Sequence, residues 1–301
     1  MKLMKYCLSP NKLAWLRQEL GENADGLIAV MDAAGSAYLA QAAQSDTSVA
    51  VDALPKLIGP ELKLLWFKQK LALITRLDDI ELSQLAPFEL EGARVVVVQP
   101  NELTTVLQSI SKQRVIGFDT ETRASFERGV QHPLSLIQIA THDTCYLFQH
   151  ALLDEQLGLL KPVLEDENIL KVGVGLRSDG QALTREWGIN VTPRLDLNWV
   201  LAQLGAGKEM GTRQLVATLL QKRIDKPKKV TLSNWQQVPL TSTQIVYAAL
   251  DALAAQHCFS ELIDKLKPFY LASLEANTQL LTQNLTVRLA SYFEQDNEVT
   301  G

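Results

Sequence analysis

The sequence has 301 residues, 47% of them hydrophobic and 21% charged, a composition that excludes a disordered or fibrous chain and leaves room for a main domain with a smaller partner. The formal net charge of −5 excludes a protein that coats nucleic acid through a broad basic surface, although a site for a few nucleotides needs only a local basic patch. No apolar stretch approaches the roughly 20 residues of a membrane span, and three widely spaced cysteines predict neither a disulfide framework nor a zinc site.

Residues 1–91 are predicted to form a smaller α+β accessory region. A first-turn proline and a terminal glycine bracket a helix at 11–20, turn residues separate two strands at 27–31 and 37–40, and 54–77 has a helical pattern. The region contains no catalytic motif, so we hypothesise that it shapes access to a site elsewhere or mediates self-association. The first residues lack the apolar core of a signal peptide, which favours a cytoplasmic location.

From Gly92 onward, alternating strand and helix patterns predict an α/β domain that spans 92–267. Strands are predicted at 94–98, 115–119, 134–140, 145–148 and 169–174, the third and fourth of them joined as a hairpin. Helices are predicted at 101–113, 157–164, 179–187, 197–204, 212–221 and 241–266. The last helix is expected to end before Pro268, and 268–301 is expected to form a helical tail.

Two carboxylates come at the end of the predicted strand 115–119. Asp119 and Glu121 are two residues apart, and residues at that spacing project from the same face of a strand. Both side chains would therefore point at one place, where they can hold a hard cation. A pair of exposed acids at a turn is the alternative, and a lone Asp-x-Glu pattern does not decide between them.

Two further segments carry candidate site residues. Asp179 follows the strand 169–174 at the start of a helix, where by itself it is best interpreted as a helix cap. Tyr247 and Asp251 are four residues apart in the last long helix, so they lie on one face of it. The alternative for this pair is a tyrosine in the core and an aspartate in solvent.

The combination of these residues changes the interpretation of each. Four carboxylates in one α/β domain would repel one another and raise their own pKa values, so divalent metals are their expected partners. Magnesium prefers oxygen ligands, retains several waters and usually completes its coordination with phosphate oxygens of a substrate. The sequence therefore predicts a magnesium site that is complete only with a phosphate-bearing substrate.

This set of residues resembles the DEDD exonuclease superfamily in its tyrosine-containing branch. The matching residues are Asp119 and Glu121 in the first motif, Asp179 in the second, and Tyr247 with Asp251 in the third. The histidine branch carries its histidine five residues before the last aspartate, where this chain has Val246. Segments 170–175, 233–235 and 239–241 look like the exonuclease domain of the Werner syndrome helicase and, more distantly, ribonuclease D. The resemblance covers 92–266 and implies a ribonuclease H-like mixed sheet flanked by helices.

The resemblance also implies a reaction, the hydrolysis of phosphodiester bonds from the 3′ end of DNA or RNA to release nucleoside 5′-monophosphates. Two Mg²⁺ ions, for which Mn²⁺ would substitute, would lie about 4 Å apart on the scissile phosphate. Asp119 would bridge both ions, Glu121 and Asp251 would complete the ligation of the first, and Asp179 would hold the second. Tyr247 would orient the attacking water, because an ordinary tyrosine pKa of about 10 makes it a poor base on its own.

Basic residues near these motifs supply candidate contacts to the substrate. Lys226, Lys228 and Lys229 form a local basic patch, in which Lys228 and Lys229 are the candidates for phosphate contact and a solvated charged loop is the equal alternative. Arg123 follows the first motif and is a third candidate, although a surface role is favoured. Trp235 is expected to anchor the core, and Asp196 to cap a helix.

Two alternatives remain open from the sequence. The metal site contacts phosphate, which DNA and RNA share, so it does not show which polymer is cut. A catalytically idle scaffold that binds nucleic acid or a protein is the other possibility, although all five site residues are present.

Overall fold

A computed structural model describes residues 66, 69–90, 92–124, 132–275 and 280–294. The helix predicted at 11–20 and the strands predicted at 27–31 and 37–40 lie outside this part of the chain. Of the segment 54–77, residues 69–74 are helical. The chain divides into two compact units, Met1–Leu71 with Pro268–Leu281, and Ala72–Lys267 with Thr282–Gly301.

The second unit contains a six-stranded mixed sheet, as the α/β prediction requires. Its strands are β2 (Arg94–Val97), β3 (Val115–Thr122), β4 (Leu134–Ala140), β5 (Thr144–Gln149), β6 (Leu170–Gly173) and β7 (Arg194–Asp196). The spatial order is β2-β5-β4-β3-β6-β7, in which β4 is antiparallel to both neighbours and the other pairs are parallel. A separate parallel pair joins β1 (Ala86–Pro87) to β8 (Lys222–Arg223).

The pairing and central position of β4 and β5 agree with the sequence patterns. Every residue of β4 and β5 is buried, which is expected of central strands that are covered on both faces. Their connection is too short for anything except an antiparallel hairpin. The parallel pairs, in contrast, are reached through intervening helices.

Helices cover both faces of this sheet. They are α1 (Asp79–Gln84), α2 (Leu103–Ile110), α3 (His150–Leu153), α4 (Lys161–Leu164), α5 (Leu176–Trp187), α6 (Leu197–Gln203), α7 (Thr212–Leu215), α8 (Lys228–Thr231), α9 (Ser242–Glu275) and α10 (Gln283–Phe293). The predicted helix 157–164 is a 3₁₀-helix, Asp154–Leu160, continued by α4, and 212–221 is α7 followed by the π-turn Val216–Leu220. Among the described residues, none of the helices combines the length and the apolar character that a membrane span needs.

One expectation about the helices is wrong. The last helix of the domain does not end before Pro268, because α9 continues through it to Glu275. Leu266, Phe269 and Tyr270 are all buried. Burial of apolar side chains on both sides of the proline offsets the hydrogen bond that its missing N–H cannot make.

The sheet separates two clusters of buried side chains, and β3 contributes to both sides. Ile116 and Phe118 project into the cluster beneath α2 and α5. Gly117 faces α9 instead, where a Cβ atom would lie only 2.0 Å from the carbonyl oxygen of Ala252. A side chain at residue 117 is therefore incompatible with the observed spacing, and glycine lets the strand and the helix approach this closely.

We predict that Gly117→Ala will destabilise the protein by at least about 1–3 kcal/mol, because strand or helix must move to accept the methyl group. Denaturant unfolding of the purified protein measures this loss. Gly158→Ala is the matched control, since no atom lies within 4 Å of the position that its Cβ would take. Equal stability of the two variants would contradict the tight contact between β3 and α9.

Candidate active site

Asp119 and Glu121 lie inside β3, which extends three residues beyond its predicted end to Thr122. They are two residues apart in a strand, so their side chains share the face that Gly117 turns towards α9. The register with β4 shifts immediately after Glu121. Such irregularities end strand pairing and re-aim side chains, and here the shift follows directly on the second acid.

Asp251 joins these two acids from α9, next to the residue whose carbonyl meets Gly117. One carboxylate oxygen of each of Asp119, Glu121 and Asp251 lies within 4.8 Å of the other two. Asp251 is buried, whereas Asp119 and Glu121 are partly exposed. Segments 130 residues apart in sequence thus converge, and we refer to these three side chains as the acid cluster.

Asp179 lies outside the acid cluster among the described residues. The Thr120 hydroxyl donates a short hydrogen bond to Oδ1 of Asp179. The charge of Asp179 still raises the pKa values of Asp119 and Glu121. The helix-cap interpretation of Asp179 is wrong, because α5 begins at Leu176 and Asp179 lies within its first turn. The N-cap is Gly175, whose positive φ of 75° explains why the helix starts earlier than expected.

Tyr247 lies one helical turn before Asp251 and is largely buried. Its ring packs against Trp235 with the ring centroids 5.8 Å apart, and its hydroxyl oxygen is hydrogen-bonded to that of Thr231 at 2.9 Å. Trp235 is fully buried and donates to the carbonyl oxygen of Thr231, so its predicted role as a core anchor is confirmed. These contacts hold the phenol at the edge of the acid cluster.

Lys226 is the residue at this site that the sequence patterns did not single out. They placed it in a basic patch, but its Nζ atom lies 2.5 Å from Asp251 Oδ1 and 4.9 Å from the centroid of the Tyr247 ring. The spacing of motifs gives no signal for such a contact, because Lys226 reaches the cluster through a connecting segment. Thr120 and Thr231, which are hydrogen-bonded to Asp179 and Tyr247, were also missed, because contacts between segments that are distant in sequence leave no mark in the spacing of motifs.

The acid cluster is electrostatically strained in the absence of bound cations. Burial, followed by the charges of Asp251, Asp179 and Glu121, raises the pKa of Asp119 well above its usual value. Burial and the charge of Asp251 raise the pKa of Glu121 to about 8. Burial also raises the pKa of Asp251, although Lys226 opposes this effect. Burial and mutual repulsion therefore favour the protonated forms of these carboxyl groups.

The donor atoms fit a divalent metal. Among the described residues, Asp251 Oδ2 is buried and makes no hydrogen bond, although the Thr212 side chain helps to lower the pKa of this carboxyl; such burial is costly for a carboxylate oxygen unless a cation completes it. The three acids offer only oxygen ligands, the type that hard divalent cations prefer. Asp119, Glu121 and Asp251 are therefore the residues that would hold the metal.

The predicted substrate contacts are close in sequence to residues of the site: Arg123 follows Glu121 by two residues, and Lys228 and Lys229 follow Lys226. Lys229 and Arg123 are exposed, and Arg123 Nη1 donates to Gln236 Oε1 at 3.3 Å. The side chain of Lys228 lies outside the described part of the structure. Asp196 caps α6 as predicted, accepting from the backbone N–H of Asn198 at 2.9 Å.

Comparison with known proteins gives a consistent result. A family model described as 3′-5′ exonuclease matches residues 95–267. The chain is 32% identical over 155 residues to a 3′-5′ exonuclease of Arabidopsis thaliana, covering 50% of this chain and 52% of that protein. It is 29% identical over 204 residues to the bifunctional 3′-5′ exonuclease/ATP-dependent helicase WRN of Mus musculus, covering 64% of this chain and 15% of that protein. The matches thus span about half or less of these relatives.

Solved structures share the fold at low sequence identity. The Nibbler EXO domain of Aedes aegypti aligns with a TM-score of 0.53 at 22% identity, covering 64% of this chain and all of that domain. Escherichia coli RNase D aligns with a TM-score of 0.50 at 20% identity, covering 62% of this chain and 50% of that protein. These likenesses agree with the mixed sheet described above and with the fold class predicted from the sequence.

The raised carboxylate pKa values predict how the metal-free protein responds to pH. Because the folded-state pKa of Glu121 is about 8 and its ordinary value is 4.5, the folded state binds an extra proton between these values. The stability that this extra proton contributes is complete at a pH below 4.5 and is lost as the pH rises through the folded-state pKa of about 8. We expect thermal stability in chelator to fall over this range, and to fall less steeply in Glu121→Gln. Parallel profiles for both proteins would contradict the strain in the acid cluster.

Proposed function

The chain belongs to the DEDD superfamily of 3′-5′ exonucleases, and we propose that it removes nucleotides one at a time from the 3′ end of DNA or RNA. The observation that carries this proposal is the acid cluster, in which Asp119, Glu121 and Asp251 converge within 4.8 Å. The unpartnered oxygen of Asp251 supports a role for these acids as metal ligands. The products would be nucleoside 5′-monophosphates.

The proposed cofactors are two Mg²⁺ ions, with Mn²⁺ as a substitute. Bound metals would polarise the scissile phosphate and lower the pKa of the attacking water. Asp119, Glu121 and Asp251 would hold them together with Asp179, which lies beside the cluster and is tethered by Thr120. The all-oxygen donor set supports magnesium over softer metals.

Assignment to the tyrosine-containing branch is part of the proposal. Burial raises the pKa of Tyr247 above its usual value of 10.0, so the phenol keeps its proton at neutral pH. A protonated hydroxyl can orient a water molecule by hydrogen bonding but cannot remove its proton. Lys229, Lys228 and Arg123 are the proposed phosphate contacts, and a cytoplasmic location stays a prediction.

We predict that Asp119→Asn will abolish 3′-end shortening while the protein stays folded. Mutation of a residue that only hydrogen-bonds to a metal ligand already lowers metal affinity or activity by about 10- to 100-fold. Loss of a ligand itself should lower activity at least as much. Oligonucleotides labelled at the 5′ end, as matched DNA and RNA in Mg²⁺ or Mn²⁺, resolve the shortened products. Glu167→Gln, an exposed acid on a loop, is the control.

The same experiment separates the alternatives. Shortening of only one polymer identifies the substrate class. Full activity in Asp119→Asn would point to a contaminating nuclease or a wrong metal assignment, and inactivity of the wild-type protein on every polymer would favour the idle scaffold.

We predict that Tyr247→Phe will lower kcat by about 100-fold, because the ring contact with Trp235 is kept and only the hydroxyl is lost. Single-turnover assays and thermal unfolding, measured together, distinguish a chemical effect from a structural one. Tyr146→Phe is the matched control, since that hydroxyl is bonded to Ser109 instead. Wild-type kcat in Tyr247→Phe would remove the tyrosine from the proposed mechanism.

A further inference from the structure

Lys226 follows a segment, β8 and Ile224, whose backbone and side-chain contacts place it beside the acid cluster. The preceding strand β8 pairs with β1 through Lys222 and Arg223, and Ile224 is buried immediately after it. The Lys226 side chain is 26% exposed, whereas that of its partner Asp251 is only 3% exposed. The Lys226 ammonium group thus points inward to the buried Asp251 carboxylate. The pairing of β8 with β1 sets the position of the backbone from which Lys226 extends.

The Lys226 ammonium contacts both site residues of α9. It donates to Asp251 Oδ1 at 2.5 Å and lies 4.9 Å from the Tyr247 ring centroid, within the range of a cation–π interaction. Its charge also lowers the pKa values of Asp119 and Glu121, which burial and neighbouring acids otherwise raise. All three members of the acid cluster therefore interact with this one cation.

Charge repulsion opposes metal binding at Asp251 while Lys226 stays in place. An ammonium and a divalent cation within a few ångströms repel strongly, because their interaction is only weakly screened at a buried site. Oδ1 already accepts a hydrogen bond from Lys226, and Oδ2 makes no hydrogen bond within the part of the chain that the structure describes. A metal that takes up Asp251 must therefore work against the lysine charge or displace it.

We propose that Lys226 is a built-in counter-ion that neutralises the acid cluster in the metal-free protein and is displaced from Asp251 when a divalent metal binds. This inference rests on the metal site of the proposed function. Lys226 is a positioning residue in this scheme, because it acts through Asp251. It keeps the carboxylates together before metal arrives, and it weakens metal binding to the same degree that it stabilises the empty cluster.

The test compares Mn²⁺ binding by the full-length chain with and without the lysine charge. Lys226→Gln and Lys226→Met remove the charge, Lys226→Arg retains it, and Lys112→Gln makes the same change of net charge at an exposed residue to which no role in the site is assigned. Electron paramagnetic resonance of free Mn²⁺ gives the dissociation constant, and thermal unfolding in chelator gives the stability of the metal-free protein.

We predict that both neutral variants will bind Mn²⁺ at least about 10-fold more tightly than the wild type, yet unfold at a lower temperature in chelator. Lys226→Arg and Lys112→Gln should bind Mn²⁺ as the wild type does. Loss of a purely structural contact would weaken metal binding, so tighter binding distinguishes the counter-ion role.

Two results would overturn the inference in different ways. Equal or weaker Mn²⁺ binding by Lys226→Gln and Lys226→Met, with normal binding by the wild type, would reject the counter-ion role and leave the proposed function intact. Absence of Mn²⁺ binding by the wild type would reject the metal site, and the inference would fail with it.

Discussion

Repulsion among carboxylates is the constraint on which this site depends. Asp119, Glu121 and Asp251 present oxygens within 4.8 Å of one another, partly removed from water, where like charges interact strongly. A fold tolerates such a group only if its covalent and packing framework holds the acids in place and cations balance them. Lys226 supplies one positive charge from within the chain, yet burial and the neighbouring carboxylates still raise the pKa values of Asp119 and Glu121.

The framework that resists this repulsion is the contact between β3 and α9. Gly117 removes the side chain that would separate them, so that the carbonyl of Ala252 reaches the strand. Asp119 and Asp251 each lie next to this contact in their own element. Small buried residues on α9, Ala248 and Ala249, continue the close packing towards Tyr247. The geometry of the acid cluster therefore depends on the packing of the core, and a change in one alters the other.

Periodicity and spacing in the sequence predicted every strand of the six-stranded sheet except β7, and three acids that converge; Asp179, which was predicted to join them, lies outside the acid cluster. Periodicity and spacing depend on local geometry: two residues along a strand, or four along a helix, share a face in any fold. The helix start before Asp179 was misjudged because a glycine with positive φ began it earlier, and the helix end at Pro268 because tertiary burial outweighed a local preference. The Lys226 contact depends on the path of a connecting segment, which periodicity does not encode.

The pairing of β1 with β8 connects the segment before Gly92 to the position of Lys226 beside the acid cluster. Ala86 and Pro87 lie beside Lys222 and Arg223, and the Phe88 N–H donates to the carbonyl of Arg223 at 2.7 Å. A deletion that stops short of Ala86 keeps the anchorage of the strand leading to Lys226, whereas one that reaches Gly92 removes it. Truncated forms of this protein that differ by only a few residues would thus differ in their affinity for divalent metal ions.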